Sequence, residues 1–215
     1  MKTVAQITLL AFFSAVTAAQ APPAQPAAGT QSSDLGFTYN VPDDWEVLST
    51  PSTMAQAKSQ ATENAGSEEE KKGIACLEPV LTARDRKSGS ILSVEALPFA
   101  CFGQQMTDED LPGFAAAGPE ALKQNFDIGK AVFASYTLGM HKMWIERAPA
   151  TLKDHPELPF TVEVTCGLLK KAAVCWMAVT GNDDALHAFE RATVSLDGEP
   201  PAALVPPTVL DKKSS

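Results

Sequence analysis

The chain has 215 residues, of which 45% are hydrophobic and 20% are charged, and its formal net charge is −9. This composition is that of a globular domain rather than of a disordered chain. Lysine and arginine occur only singly or in short pairs, so the composition argues against nucleic acid and against an anionic lipid surface as partners.

The first nineteen residues have the pattern of a secretory signal peptide. Lys2 precedes a mostly apolar run over residues 4–16, and small residues follow as far as Ala19. The run is too short to span a bilayer, so cleavage after Ala18 or Ala19 is expected, with no integral membrane segment left afterwards. Residues 20–34 are rich in Ala, Gln, Pro and Ser and are predicted to be a flexible linker. The protein is therefore expected to be secreted or periplasmic.

The predicted domain occupies residues 35–197 and opens with two short strands. Phe37 and Tyr39 alternate with polar residues, and Trp45 and Val47 do so after a turn that contains proline and aspartate. Alternation of this kind is typical of strands that place one face in a core.

A polar segment comes next. Residues 50–65 contain few large apolar side chains and are predicted to form a solvated helix, with a charged turn over residues 68–72. The acidic residues of that turn are interpreted as a solvated surface, because a metal site needs oxygen ligands from several elements.

Two strands are predicted over residues 74–84 and 90–99, and their register stays open between two frames. A loop at Lys87–Ser88 leaves the prolines of both strands at positions that donate no ladder hydrogen bond. A loop one residue later sets Cys76 directly opposite Cys101. In both frames the two sulfur atoms lie near each other.

A capping-box pattern at residues 107–110 predicts a short helix, which restarts at Pro119. A hairpin follows, with strands over residues 128–138 and 141–148 joined by a loop at 139–140. Such runs of hairpin-linked strands with helices beside them indicate an α+β fold.

Residues 160–179 are predicted to form the central hairpin, after a polar loop over residues 151–159. The first half alternates apolar and polar residues, and the second half is apolar at nearly every position. That second pattern is expected for a strand covered on both faces. With Lys170–Lys171 as the loop, Cys166 lies opposite Cys175 in a non-hydrogen-bonded pair, where side chains approach most closely.

Four cysteines in an exported chain predict two disulfides. The hairpin register favours Cys166–Cys175, which leaves Cys76–Cys101 as the second pair. A capped helix then carries an apolar stripe, and residues 198–215 are predicted to be a proline-rich disordered tail. Together the elements predict a mainly antiparallel sheet of about six strands.

The domain opening, Gly36-Phe37-Thr38-Tyr39-Asn40-Val41-Pro42-Asp43-Asp44-Trp45, resembles the "G-F-x-φ-x-x-P-x-x-W" start of the PsbP-like/DcrB-like superfamily, where φ is apolar. Residues 188–196 resemble the last helix of that superfamily and the strand after it. These two short segments frame residues 35–197, and the resemblance implies an α/β/α sandwich, with packing and turn roles for Phe37, Pro42 and Trp45. It also implies a non-enzymatic accessory or binding module, as for several exported members.

Catalytic motifs are not evident in the sequence. It contains no Gly-x-Ser-x-Gly, P-loop, His-Glu-x-x-His or Cys-x-x-Cys pattern, and its histidines at 141, 155 and 187 lie far apart. Among the aromatic residues, Trp176 is interpreted as core. Trp144, which lies among charged residues, is either packed under a helix or part of a contact surface.

The sequence therefore predicts an exported, non-enzymatic accessory or binding module that two disulfides stabilise, with no cofactor, no metal and no catalytic residue. Its partner is expected to be a protein or a small molecule in the cell envelope or outside the cell. Two alternatives remain open: a small-ligand carrier with a pocket between sheet and helices, and a thiol- or metal-dependent enzyme that uses Cys76 or Cys101 with a histidine.

Overall fold

The computed structural model describes residues 30–48, 58–59, 62–63, 67–103 and 105–209. The predicted signal peptide, most of the predicted linker and most of the predicted helix over 50–65 lie outside these residues. Within them the strands are β1 (Thr30–Ser33), β2 (Phe37–Asn40), β3 (Trp45–Val47), β4 (Glu78–Asp85), β5 (Ile91–Pro98), β6 (Phe126–Ile128), β7 (Val132–Leu138), β8 (His141–Leu152), β9 (His155–Leu168), β10 (Ala172–Thr180), β11 (Thr193–Leu196) and β12 (Ala202–Ala203). The helices with described bounds are α1 (Glu68–Cys76), α2 (Phe99–Phe102), α3 (Leu111–Leu122) and α4 (Asp183–Arg191).

The main sheet is antiparallel and contains eight strands. Its order is β3-β4-β5-β10-β9-β8-β6, and β7 pairs with the same edge of β8 as β6 does. A second antiparallel sheet has the order β1-β2-β11-β12. The fold is therefore α+β with mainly antiparallel sheets, as the sequence predicts.

The predicted number of about six strands was too low. The segment over 128–138 is divided into β6 and β7, and β3 joins the main sheet. The predicted polar loop over 151–159 instead continues β8 and β9 to a turn after Leu152. These residues are polar because the far end of the hairpin is exposed to solvent, and exposure hides the strand pattern from the sequence.

Strand β10 lies between two hydrophobic cores, one on each face of the main sheet, and each of its nine residues is buried. Alternate side chains point to opposite faces of a strand. Ala172, Val174, Trp176 and Ala178 belong to one cluster, and Ala173, Cys175, Met177 and Val179 belong to the other. The continuous apolar run is thus the expected signature of a strand covered on both faces.

One face of the main sheet packs against the small sheet and α4, and is called the small-sheet face. The ring centroids of Phe37 and Tyr39 on β2 lie 5.6 and 6.4 Å from that of Trp176, which is fully buried. Leu204 and Val205 are also buried here, although a disordered tail was predicted for them. The predicted α/β/α sandwich is also corrected here. The outer layer on this face is a four-stranded sheet with a single helix, not a layer of helices.

The opposite face packs against α3 and is called the helix face. Helix α3 runs without interruption through Pro119, so the predicted restart at this residue was wrong. Leu111, Phe114 and Leu122 are buried against the sheet, and this burial outweighs the local cost of the proline. The helix lies close to the sheet at Gly118, where an added Cβ would be 3.0 Å from Met177 Sδ.

The described fold extends past both predicted ends of the domain. β1 begins at Thr30, inside the predicted linker, and pairs with β2. At the other end β12 pairs with β11. Both additions were missed because their residues are small or polar and carry little strand signal.

Candidate functional site

The Cys166–Cys175 disulfide joins β9 to β10 in the centre of the fold. The two residues are Cα partners, as the hairpin register predicts, and their Cα atoms are 4.2 Å apart. Both side chains are buried in the cluster beneath α3. This disulfide stabilises the central hairpin and leaves no thiol there for chemistry.

The Cys76–Cys101 disulfide joins α1 to α2, with a Cα–Cα distance of 5.4 Å. The pairing agrees with the prediction, but the expectation that both residues lie in strands was wrong. The β4–β5 register begins in the Lys87–Ser88 frame and shifts between Pro79 and Leu81. Pairing continues in the shifted register only as far as Glu78, and Cys76 and Cys101 lie in helices beyond the two strands, so neither predicted frame reaches the cysteines. None of the four cysteines is free.

The structure does not bring the three histidines together. His141 Nδ1 lies 2.8 Å from the carbonyl oxygen of Leu168, while His155 contacts Glu157 near the exposed end of β9. His187 lines a cleft on α4. In the described part of the chain, no group of three or more His, Cys, Asp or Glu side chains is arranged to hold a metal ion.

That cleft has a volume of about 180 Å³ and lies between α4, β8 and the segment after β12. Arg147 and Glu190 line it, and Arg147 also donates to the buried Glu163 beneath. Burial raises the pKa of the Glu163 carboxyl to about 7, against the opposing effect of the Arg147 guanidinium. The arrangement is an ion-pair network that holds α4 against the sheet.

A second cleft, of about 530 Å³, lies between the turn before β3, the β4–β5 turn and the start of α4. Three of its charged side chains are already engaged: Asp85 accepts hydrogen bonds from Ser88, and Lys87 Nζ lies 2.6 Å from Asp44. Both clefts are lined mainly by charged and polar side chains, whereas small-molecule sites are mostly apolar with a few polar groups. The carrier hypothesis gains no support from them.

Strand β7 is the outstanding surface feature of the described residues. Its seven residues, Val-Phe-Ala-Ser-Tyr-Thr-Leu, include no charge, no proline and no glycine, and they pair with β8 without a bulge. Among the described residues no strand pairs with the other edge of β7. An edge strand that lacks charges, prolines and bulges is a template for pairing with another chain.

The hairpin turn fixes which backbone groups of β7 face outwards. Gly139 has a φ of +59° and forms a two-residue loop with Met140, so Leu138 and His141 form the closing hydrogen-bonded pair. Groups that face β8 then alternate with groups that face away from it. The amides and carbonyls of Phe133, Ser135 and Thr137 therefore point to the open edge.

An aromatic pair, of which Phe133 is exposed and Trp144 is partly buried, lies beside this edge on the helix face. The rings of Phe133 and Trp144 stack with a centroid separation of 5.5 Å and an interplanar angle of 19°. Phe133 is 65% exposed and its neighbour Val132 is 54% exposed. The sequence singled out Trp144 but missed Phe133, whose signal is only its place in an uncharged run.

Two comparisons with known proteins found no match, neither to a family model nor to a curated protein. Among solved structures, the chain is similar to the solution structure of cyanobacterial PsbP (CyanoP) from Synechocystis sp. PCC 6803. The TM-score is 0.43 and the identity 9%, over 78% of this chain and 89% of that chain. In the described residues, no helix has the length and apolar character needed to cross a membrane.

Proposed function

We propose that the protein is an exported, non-enzymatic accessory module that binds another polypeptide by adding a strand to the open edge of β7. One observation carries the proposal: a seven-residue uncharged edge strand presents three outward pairs of backbone groups beside the exposed ring of Phe133, which stacks on Trp144. The two disulfides support a location in an oxidising compartment outside the cytoplasm.

The other sheet edges show why β7 stands apart. β3 has three residues, β1 has four and β12 has two, so none offers more than a short stretch of backbone. β6 also has three residues and carries Asp127. Short strands and charges are the usual protection of an edge, and β7 has neither. An added strand would therefore pair most completely with β7.

Side chains would add specificity to these backbone bonds. In strand addition the ladder supplies affinity, and alternate side-chain positions supply selectivity. Phe133, Ser135 and Thr137 share the helix face with Trp144. A partner strand with an aromatic or β-branched residue beside Phe133 would cover the exposed ring and so gain binding energy from the apolar area removed from water.

Selection from a displayed random-peptide library tests this proposal, with the purified protein as bait. Ser135→Pro is the blocking variant, because it removes an outward N–H and leaves the bonds to β8 in place. Ser135→Ala is the matched control, since it keeps that N–H. The proposal expects selected peptides to bind wild type and Ser135→Ala equally and Ser135→Pro at least about tenfold more weakly. Equal binding to all three variants, or no enrichment, would refute strand addition at β7.

A further inference from the structure

The three outward-facing residues of β7 are spaced symmetrically about the strand centre. Phe133 and Thr137 lie two residues before and after Ser135, and the seven-residue strand has Ser135 as its midpoint. Two copies of such a strand can pair antiparallel about a twofold axis through Ser135. Such an interface is isologous, as in twofold symmetric dimers, which are the commonest closed homo-oligomers.

The twofold register uses every outward group. Phe133 pairs with Thr137 of the second copy, Ser135 with its own equivalent, and Thr137 with Phe133 of the second copy. Since each hydrogen-bonded pair of an antiparallel ladder exchanges two bonds, the register forms about six backbone hydrogen bonds. A slide by two residues leaves only two such pairs within the strand. The hydrogen-bond count therefore selects one register.

Side chains and charges are compatible with that register. Directly opposite residues are uncharged at every position of β7, so no like charges meet. The exposed ring of Phe133 would cover Thr137 of the second copy on the helix face. Beyond the strand, Lys130 is exposed and has no ion pair among the described residues. It would lie opposite Met140 of the second copy, whose amide donates to Glu199.

We infer that the strand added to β7 is β7 of a second copy of this chain, paired antiparallel about Ser135 to make one continuous sheet across the dimer. This inference rests on the proposed use of the β7 edge and names its occupant. Lys130 of each copy would lie near Glu199 of the other copy. The attraction between these opposite charges offsets part of the repulsion between two chains of formal net charge −9.

Sedimentation equilibrium of the purified protein between about 10 µM and about 1 mM tests the inference, because a single strand pair buries less area than a typical stable interface. Wild type and Ser135→Ala are expected to form dimers in this range. Ser135→Pro is expected to weaken the dimer by at least about tenfold. Thr137→Lys, which keeps the amide but sets a charge beside Phe133 of the second copy, should do the same.

The outcomes separate this inference from the proposed function. A monomer throughout the range for wild type would overturn the second copy as occupant, while peptides that still bind wild type and not Ser135→Pro would leave strand addition standing. A dimer that both Ser135→Pro and Thr137→Lys preserve would place the interface elsewhere. Circular dichroism of each variant shows whether it is folded. Lys130→Glu reverses the charge at the end of the strand and leaves the backbone hydrogen bonds unchanged, so it is expected to weaken the dimer in a salt-dependent way.

Discussion

Glu95 offers a sharp test of the packing on the helix face. Its side chain is 2% exposed, it is the Cα partner of Cys175, and its Oε2 has no hydrogen-bond partner in the described structure. Burial raises the pKa of its carboxyl from 4.5 to about 8. We predict that Glu95→Gln, which keeps the shape of the neutral acid and cannot ionise, makes the protein more stable at neutral and alkaline pH.

The magnitude follows from proton linkage. Between pH 4.5 and 8 the folded chain holds a proton on Glu95 that the unfolded chain has released, so the free energy of unfolding falls as pH rises. The slope approaches about 1.4 kcal/mol per pH unit. The stability difference between Glu95→Gln and wild type should therefore be near zero at pH 4, about 3 kcal/mol at pH 7 and about 5 kcal/mol at pH 9.

Urea denaturation at a series of pH values, with the disulfides intact, measures this difference. Glu78→Gln is the matched control, because Glu78 lies on the neighbouring strand β4 and is exposed. The difference in the free energy of unfolding between Glu78→Gln and wild type should stay the same across the pH series. If the Glu95→Gln and wild-type profiles also run parallel, the argument that burial controls the Glu95 carboxyl is wrong.

Three further predictions concern other parts of the fold. Arg147→Met should lower the free energy of unfolding by about 3–5 kcal/mol at pH 8, because it leaves the buried Glu163 carboxylate without its cation. The loss should be smaller at pH 5, where Glu163 is protonated, and urea denaturation at both pH values measures the difference. A mild water-soluble reductant should open Cys76–Cys101 before Cys166–Cys175, since Cys101 is exposed and the central pair is buried; alkylation and mass spectrometry should find two modified cysteines first, and four at once would contradict the prediction. Gly139→Ala should lower stability by about 1–2 kcal/mol, because φ is +59° and an added Cβ would overlap the Glu199 carboxylate; an unchanged melting temperature would count against this.

The central hairpin could be derived from the sequence because two local rules agree there. The Lys170–Lys171 loop fixes the register, and alternation of apolar residues fixes the face, so the position of Cys166 opposite Cys175 followed directly. The β4–β5 pair lacks this agreement, since a bulge near Val80 changes the register without a clear sequence signal. A disulfide there was predictable from the cysteine count, but its position on two helices was not.

The candidate site was less accessible to sequence reasoning. The charged residues around Trp144 in sequence favour a contact surface as one of its two interpretations. Whether β7 is an edge or an inner strand depends on the order of the whole sheet, which pattern analysis of a single segment does not supply. Phe133 looks like a core residue in sequence, whereas in the structure it is exposed on an edge strand of the main sheet. Buried acids such as Glu163 are hidden for the same reason, since an alternating strand places its polar residues towards solvent unless a second layer covers them.

The most direct test of the account is residue-resolved amide hydrogen exchange of β7 in dilute solution, where the chain is monomeric. We predict an alternating pattern along the strand. The amides of Ala134, Tyr136 and Leu138 should exchange slowly because they bond to β8, and those of Phe133, Ser135 and Thr137 should exchange fast because they face the open edge. Slow exchange at all six positions in the monomer would show that another part of the chain covers the edge, and would contradict strand addition at β7.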